Sequence, residues 1–442
     1  MKKKKTSPKI TKHKDNSLGV FLKKIIKNKV LVAVIALFII ELFLRSYQMD
    51  IKNPFGYDQV DNAWAAKSII IDHRYPLVGM VAKTNSGIYI GPAYYYLISI
   101  FYFIFDLNPV ASAIFALLTS VFTFWTIYFV FKKLFNEGIA LIGLIINTFA
   151  LPAIIFDRIQ WPVDFIPAIS LLVFYFLYRV LQGKPKNLIY LALVTGFFFN
   201  IHFTAIFAPI VVLLTLPWFP RTKETVKYIL ISIPLFFVWI IPNIIYTINS
   251  RSSSSNASYI NTYYHGFHLR RMFQIIGDAF IQFDPYVFFE WIKKIKPIFP
   301  ILFFIIYLKR ETNKDKFKFV YLVFLWFMVP WIVFTVYSGE ISDYYFSFSR
   351  FIVLMIISYI LYSIFIQNLI TKAAISIFLA VFCVMNIINF MPYKDVGLKK
   401  RYEENVMPAV DNKRRIEFQV GVPESYLYYY KMREKGVEDV YK

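Results

Sequence analysis

The chain has 442 residues, 58% of them hydrophobic and 20% aromatic, with a mean hydropathy of +0.53. One soluble core inside a charged surface cannot absorb that much apolar side chain, so most of the chain is solvated by lipid. The formal charge of +22 falls in short clusters between apolar runs and in no nucleic-acid-binding motif, so it reads as topology signal and headgroup contact, and no nucleic-acid partner is expected.

The first 29 residues hold eleven lysines and one aspartate, and an apolar run over 30–44 follows. That is the layout of a signal anchor, retained because Arg45-Ser46-Tyr47-Gln48 offers no small-residue cleavage site. The basic tail 1–28 is therefore placed in the cytoplasm, and a first span delivers residues 49–106 outside as the first extracytoplasmic loop, with juxtamembrane helices of its own. Further apolar runs fall near 109–131, 138–156, 162–181, 188–204, 205–219, 227–248, 297–308, 319–337, 348–368 and 372–391. One crossing each puts Lys132/Lys133, Arg179/Lys184/Lys186, Arg221/Lys223, Lys309/Arg310/Lys314 and Lys372 on the inner side, as the charge rule demands. The count holds only if the apolar stretch 91–106 lies as a re-entrant or interfacial helix. The expected architecture is an all-α polytopic membrane protein of about eleven spans. It comprises a transmembrane domain over 29–391, a second large outer loop over 249–296 that opens with the serine run 252–255, and a small outer module over 392–442. The single cysteine, Cys383, lies inside an apolar run, so no intrachain disulfide forms.

The stretch Gly56-Tyr57-Asp58-Gln59-Val60-Asp61 follows the first span. On a helix, Asp58 and Asp61 stand at i and i+3 and share a face, which suits a general base with an electrostatic partner or a pair of metal ligands. A plain capping role, Asp58 at the N-cap and Asp61 in the first turn, is the alternative. Later come Tyr75-Pro76-Leu77-Val78-Gly79, Gly91-Pro92-Ala93-Tyr94-Tyr95-Tyr96-Leu97, Arg158-Ile159-Gln160-Trp161-Pro162, Asn200-Ile201-His202-Phe203-Thr204 and Tyr344-Tyr345-Phe346.

In this order the motifs resemble the bacterial family 39 glycosyltransferases, relatives of protein O-mannosyltransferases and of the lipid A aminoarabinose transferase. The resemblance spans about residues 25–390. It implies a GT-C fold, a polyprenyl-phosphate-linked sugar as donor and a first-loop aspartate as general base, a role that falls on Asp58. The sequence departs from the family at Asp58-Gln59, where Asp-Glu is common, and at Trp161-Pro162-Val163-Asp164, where Trp-Asn-Pro-Asn is expected.

Displacing a lipid phosphate from an anomeric carbon requires a base for the incoming hydroxyl and cations or hydrogen-bond donors for the departing phosphate. Asp58 and Asp61 are the catalytic candidates. Arg158, His202, Arg74, Lys83, Arg270 and Arg271 are the phosphate-binding candidates, each with a headgroup-binding or snorkelling role as its alternative. Tyr57, Tyr95, Trp161, Asp164 and Tyr345 are candidate sugar or lipid contacts, against an interfacial aromatic belt or, for Asp164, a salt bridge to Arg158. No cofactor is expected, and a divalent metal at Asp58/Asp61 is not favoured because two carboxylates make a thin site. The reading is an inverting transferase in a bacterial-type cytoplasmic membrane, its site on the extracytoplasmic face and its acceptor a hydroxyl on protein, lipid or glycan. The rival is a transporter or flippase of lipid-linked saccharides, disfavoured because the notable acids cluster at the outer ends and not at the midplane.

Overall fold

A computed structural model describes residues 28–81, 86–250, 261–264, 266–287, 293–395, 397–437 and 440–441. The basic tail 1–27, the serine run and Lys83 lie outside the described residues. Among those described there is no β-strand, only three isolated antiparallel bridges. In chain order the main helices are α1 (Lys29–Ser46), α2 (Tyr57–Ile70), α3 (Ala93–Ile104), α4 (Val110–Leu134), α5 (Glu137–Phe149), α6 (Ile166–Leu181), α7 (Asn187–Phe198), α8 (Phe207–Thr215), α9 (Lys223–Phe237), α10 (Ile241–Ser250), α11 (Ile298–Arg310), α12 (Lys316–Thr335), α13 (Arg350–Phe365), α14 (Leu369–Phe390) and α15 (Pro423–Glu434). Their starts follow ordinary capping chemistry: Asn28, Asn136, Thr222 and Asn368 each accept a backbone amide three residues on.

Apolar residues run all round most of these helices, and burial sorts them. Every residue from Arg350 to Ile360 is buried, so α13 is the centre of the bundle, with α5, α11 and α14 packed on it. At the periphery, α14 leaves Ile370 80% exposed and Ile377 64% exposed, a face whose natural solvent is lipid.

Eleven apolar runs do not make eleven long helices. Among the described residues five helices are long and apolar enough to cross: Val110–Leu134, Pro162–Leu181, Lys316–Thr335, Asp343–Phe365 and Leu369–Phe390. The pair α9 and α10, bent by 49°, passes the same test when taken together, as a broken span or a re-entrant loop. Elsewhere proline and glycine divide the runs into shorter pieces, as in Phe203–Trp218, where 3₁₀ turns flank α8. The stretch expected not to cross folds as α3, a helix of 12 residues.

The basic junctions gather at one end of the bundle. Phe135, next to Lys132 and Lys133, packs its ring on Tyr307, Phe319 and Tyr359. There Lys318 donates to Leu181 O at 2.8 Å and pairs with Asp315, and Arg310 donates to Ser363 O at 3.0 Å. The loop segments meet at the opposite end. Gln282 donates to Asp343 O, Gly91 N donates to Phe199 O, and Trp161 packs on Tyr344 with ring centroids 5.2 Å apart. The tail joins this same end: Trp64 on α2 meets the rings of Phe418, Tyr426, Tyr429 and Tyr441, and Arg433 pairs with Asp106 at 2.9 Å. Buried Lys52 donates to the carbonyls of Phe390, Met391 and Tyr393, satisfying the C-terminal carbonyls of α14 with a cation.

Candidate active site

Gly56, in extended backbone, is the N-cap of α2, and Gln59 closes the turn by accepting the Gly56 amide at 2.8 Å. Gln59 also donates to Gln160 O at 2.7 Å and is buried. A glutamate there keeps the first bond and loses the second, so the departure from Asp-Glu is a structural amide and leaves no second acid at 59. Asp58 is consequently not the cap. It is the second helical residue, in the first turn where the helix dipole favours an anion.

The Asp58 carboxylate has no hydrogen bond and no ion pair among the described residues. It is half-buried, open at its surface but crowded by protein. That crowding, with the charge of Asp61 one turn on as the smaller cause, pushes its pKa up to about 6. Asp61 accepts the Tyr95 hydroxyl at 2.5 Å; burial raises its pKa and the Tyr95 bond opposes the rise. Tyr95 reaches Asp61 because α2 and α3 pack side by side. The position of α3 is fixed by Asn200, which accepts the Ala93 amide at 3.2 Å while lying so close to Gly91 that a Cβ there would sit 2.0 Å from its Oδ1. The Gly-Pro start of α3 is thus a docking contact with the Asn200-Ile201-His202 element. Tyr57 stays 59% exposed, its ring against Gly421 of the tail, which sits at φ +75° with no room for a side chain.

An aromatic wall continues from the two acids. Asp58 lies within electrostatic reach of the Tyr94, Tyr95 and Tyr344 phenols. Tyr344 contacts Trp161, His202 and Tyr345, with centroids at 5.2, 5.9 and 4.8 Å. His202 uses Nδ1 to accept the Thr204 amide, which leaves the proton of the neutral ring on Nε2. Tyr345 is buried among Phe203 and Phe334. Asp164 accepts the Trp161 indole N–H at 2.7 Å through Oδ1, and its Oδ2 is sealed without a partner.

The cations named from sequence are placed differently. Arg158 is buried and donates to Leu44 O at 2.8 Å, Tyr47 O at 2.9 Å and Gln48 O at 3.4 Å, clamping the end of α1. Its neighbour Asp157 pairs with Arg45, not with Arg158, in a cluster that also holds Glu41. Arg74 and Arg270 are exposed, and Arg271 donates to Gly339 O at 3.1 Å, tying the second loop to the segment before α13. One buried cation is not among those candidates. Arg350, at the first position of α13, is 3% exposed, with its guanidinium centre 4.1 Å from the Phe156 ring centroid. The sequence did carry a signal for it: a lone arginine opens an apolar run at the end where the charge rule places no basic cluster.

Residues 90–246 match the family described as dolichyl-phosphate-mannose-protein mannosyltransferase; the match begins after α2 and so leaves Asp58 and Asp61 outside. No curated protein matches the chain. Among solved structures, ArnT from Cupriavidus metallidurans bound to undecaprenyl phosphate superposes with a TM-score of 0.52 at 10% identity, covering 90% of this chain and 74% of that one. The apo form of the same protein gives 0.51 at 11% identity, with 90% and 75% covered. This chain is therefore a multi-pass membrane protein of the GT-C fold, similar over residues 90–246 to the family described as dolichyl-phosphate-mannose-protein mannosyltransferase.

Proposed function

We propose that the chain is an inverting glycosyltransferase that moves one sugar from a polyprenyl phosphate to a hydroxyl of a protein, lipid or glycan, on the extracytoplasmic side of a bacterial-type cytoplasmic membrane. The family match over 90–246 and the likeness to a structure holding undecaprenyl phosphate support the donor class. The observation that carries the chemistry is the Asp58 carboxylate, unpaired among the described residues, half-buried and with its pKa raised to about 6, beside an Asp61 already engaged by Tyr95.

In this reading the acceptor oxygen attacks the anomeric carbon while Asp58 takes its proton. The bond from that carbon to the phosphate oxygen breaks, and its electron pair leaves with the phosphate. A carboxylate with a pKa near 6 is ionised at neutral pH, yet is a stronger base than a solvated aspartate. Asp61, held by Tyr95, supports the basicity of Asp58 by its charge. Asp61 commits one oxygen to the Tyr95 phenol, so the pair offers a divalent metal few remaining ligand atoms. Trp161 and Tyr344, half-buried and packed on each other, are rings of the kind that stack on sugar C–H groups.

The test is transfer from a radiolabelled polyprenyl-phosphate sugar to membrane acceptors. Asp58→Asn should lose about 10²- to 10⁴-fold in turnover while the protein still inserts and binds the lipid phosphate. Unchanged turnover removes Asp58 as the base.

A further inference from the structure

We infer that the groove between α7, α8 and α9 seats one acyl chain of an anionic phospholipid, whose headgroup rests on a basic rim formed by Lys184, Arg221 and Lys223. The inference is independent of the transferase reading above. The groove holds about 370 Å³, and twelve of its fourteen lining residues are apolar. The other two, Thr195 and Ser232, have their hydroxyl oxygens sealed within the protein, so the space offers water or a sugar nothing to bond to and suits hydrocarbon. Leu213, Leu216, Ile233 and Phe237 line it and are exposed, so it opens toward the lipid-facing side of the bundle.

The length of the groove and the charge at its mouth select the lipid. The lining runs from Leu188 to Thr195 on α7 and from Ile229 to Phe237 on α9, stretches of about 10–12 Å at about 1.5 Å per residue. One leaflet offers about 15 Å of hydrocarbon, so a chain entering from one side of the membrane fills the groove. Next to Thr195, α7 and α9 close up: a Cβ at Gly196 would stand 2.5 Å from the Trp239 ring. The other end opens among cations. Lys184 precedes α7, Arg221 follows the lining residue Phe219 by two positions, and Lys223 opens α9. All three are exposed, and none forms an ion pair among the described residues. Glu224 is the one acid in the segments 182–188 and 216–227, against Lys184, Lys186, Arg221, Lys223 and Lys227. Trp218, exposed at this end with its ring on Tyr321, is the kind of residue that sits at headgroup level. A positive rim at the mouth of an apolar slot complements a molecule that is anionic at one end and hydrocarbon at the other. A polyprenyl-phosphate donor does not fit this arrangement, because its phosphate belongs near Asp58, at the opposite end of the bundle.

The experiment uses the full chain in phosphatidylcholine nanodiscs doped with a phosphatidylglycerol or a phosphatidylcholine that carries a photoactivatable diazirine midway along one acyl chain. Adducts are mapped by peptide mass spectrometry. In the wild type the phosphatidylglycerol probe should label residues 188–195, 209–219 and 229–237 about tenfold or more above the phosphatidylcholine probe. The Lys184→Gln/Arg221→Gln/Lys223→Gln protein should lose that excess and keep the phosphatidylcholine adducts. Ala192→Phe, which fills the groove, should lower labelling of these segments by both probes. Adducts spread evenly over the lipid-facing helices, α14 included, overturn the site. So does an excess that survives the triple substitution, or labelling that Ala192→Phe leaves unchanged. Unlabelled undecaprenyl phosphate that competes as well as unlabelled phosphatidylglycerol gives the groove to an isoprenoid chain and overturns the phospholipid. If Ala192→Phe does not fold, Leu213→Trp at the open side decides: reduced labelling supports the assignment, and unchanged labelling overturns it.

Discussion

Asp58 combines a raised pKa with the absence of any hydrogen-bond or ion-pair partner for its carboxylate among the described residues, and the two properties set how it responds to pH. Burial is the larger cause of the shift to about 6 and the charge of Asp61 the smaller. A base works only when deprotonated, so transfer should climb about tenfold per pH unit below about 6 and level off above it. Asp61→Asn removes the like charge and should move that limb to lower pH, which a pH–rate profile of the variant reads directly. An unmoved limb assigns it to another group. Stability carries the opposite sign. The folded state holds the Asp58 proton to higher pH than the unfolded chain, so ionisation costs stability as pH rises from about 4 toward about 6, and the cost persists above. Asp58→Asn, inactive in transfer, should therefore raise the thermal midpoint in detergent at pH 7.5 relative to wild type and change it little at pH 4. Equal shifts at both values contradict this account.

At the level of elements, the site depends on how α2 and α3 are held against each other and against the bundle. Gln59 locks the start of α2 to Gln160, and Trp64 anchors its middle in the tail rings of Phe418, Tyr426, Tyr429 and Tyr441. Asn200 sets α3 through the backbone at Gly91 and Ala93. A methyl group at Gly91 would lie 2.0 Å from Asn200 Oδ1, so one of the two must shift. Gly91→Ala should cost about 1–3 kcal/mol and also lower transfer, because the displaced Tyr95 no longer holds Asp61. The paired variant Gly91→Ala/Asn200→Ala should recover part of the stability by removing the clash. Recovery is read as the thermal midpoint, and a double variant no better than the single one argues against this contact as the cause.

Across the whole molecule, the basic junctions collect at one end and the first loop, second loop and tail at the other. With Cys383 replaced by serine, a Gln274→Cys protein should react with an impermeant maleimide added to intact cells, and a Lys133→Cys protein should react only after permeabilisation. The reverse pattern inverts the orientation and removes Asp58 from the outer face. Helix length does not settle this, since among the described residues five helices, or six with the bent pair, are long enough to cross by themselves. The apolar runs are split by proline, glycine and 3₁₀ turns into pieces whose backbone ends need partners from neighbouring helices.

Sequence alone determined the lipid-solvated class, the clustering of charge at the junctions and the motif order that resembles a glycosyltransferase family. Each of these follows from local composition or short spacing, and a chain reports both directly. The partners that decide a role come from distant segments. Asp58 reads equally well as a cap until Gly56 is seen to take that position and Gln59 to close the turn. Arg158 reads as a phosphate ligand until its donors are found on the end of α1, and Arg350 reads as one more residue of an apolar run until it is found buried with its guanidinium against the Phe156 ring and its Nε donating to the Tyr286 hydroxyl. Whether a buried charge holds the fold or waits for a ligand depends on which atoms lie within about 3 Å of it, and only tertiary packing brings those atoms together.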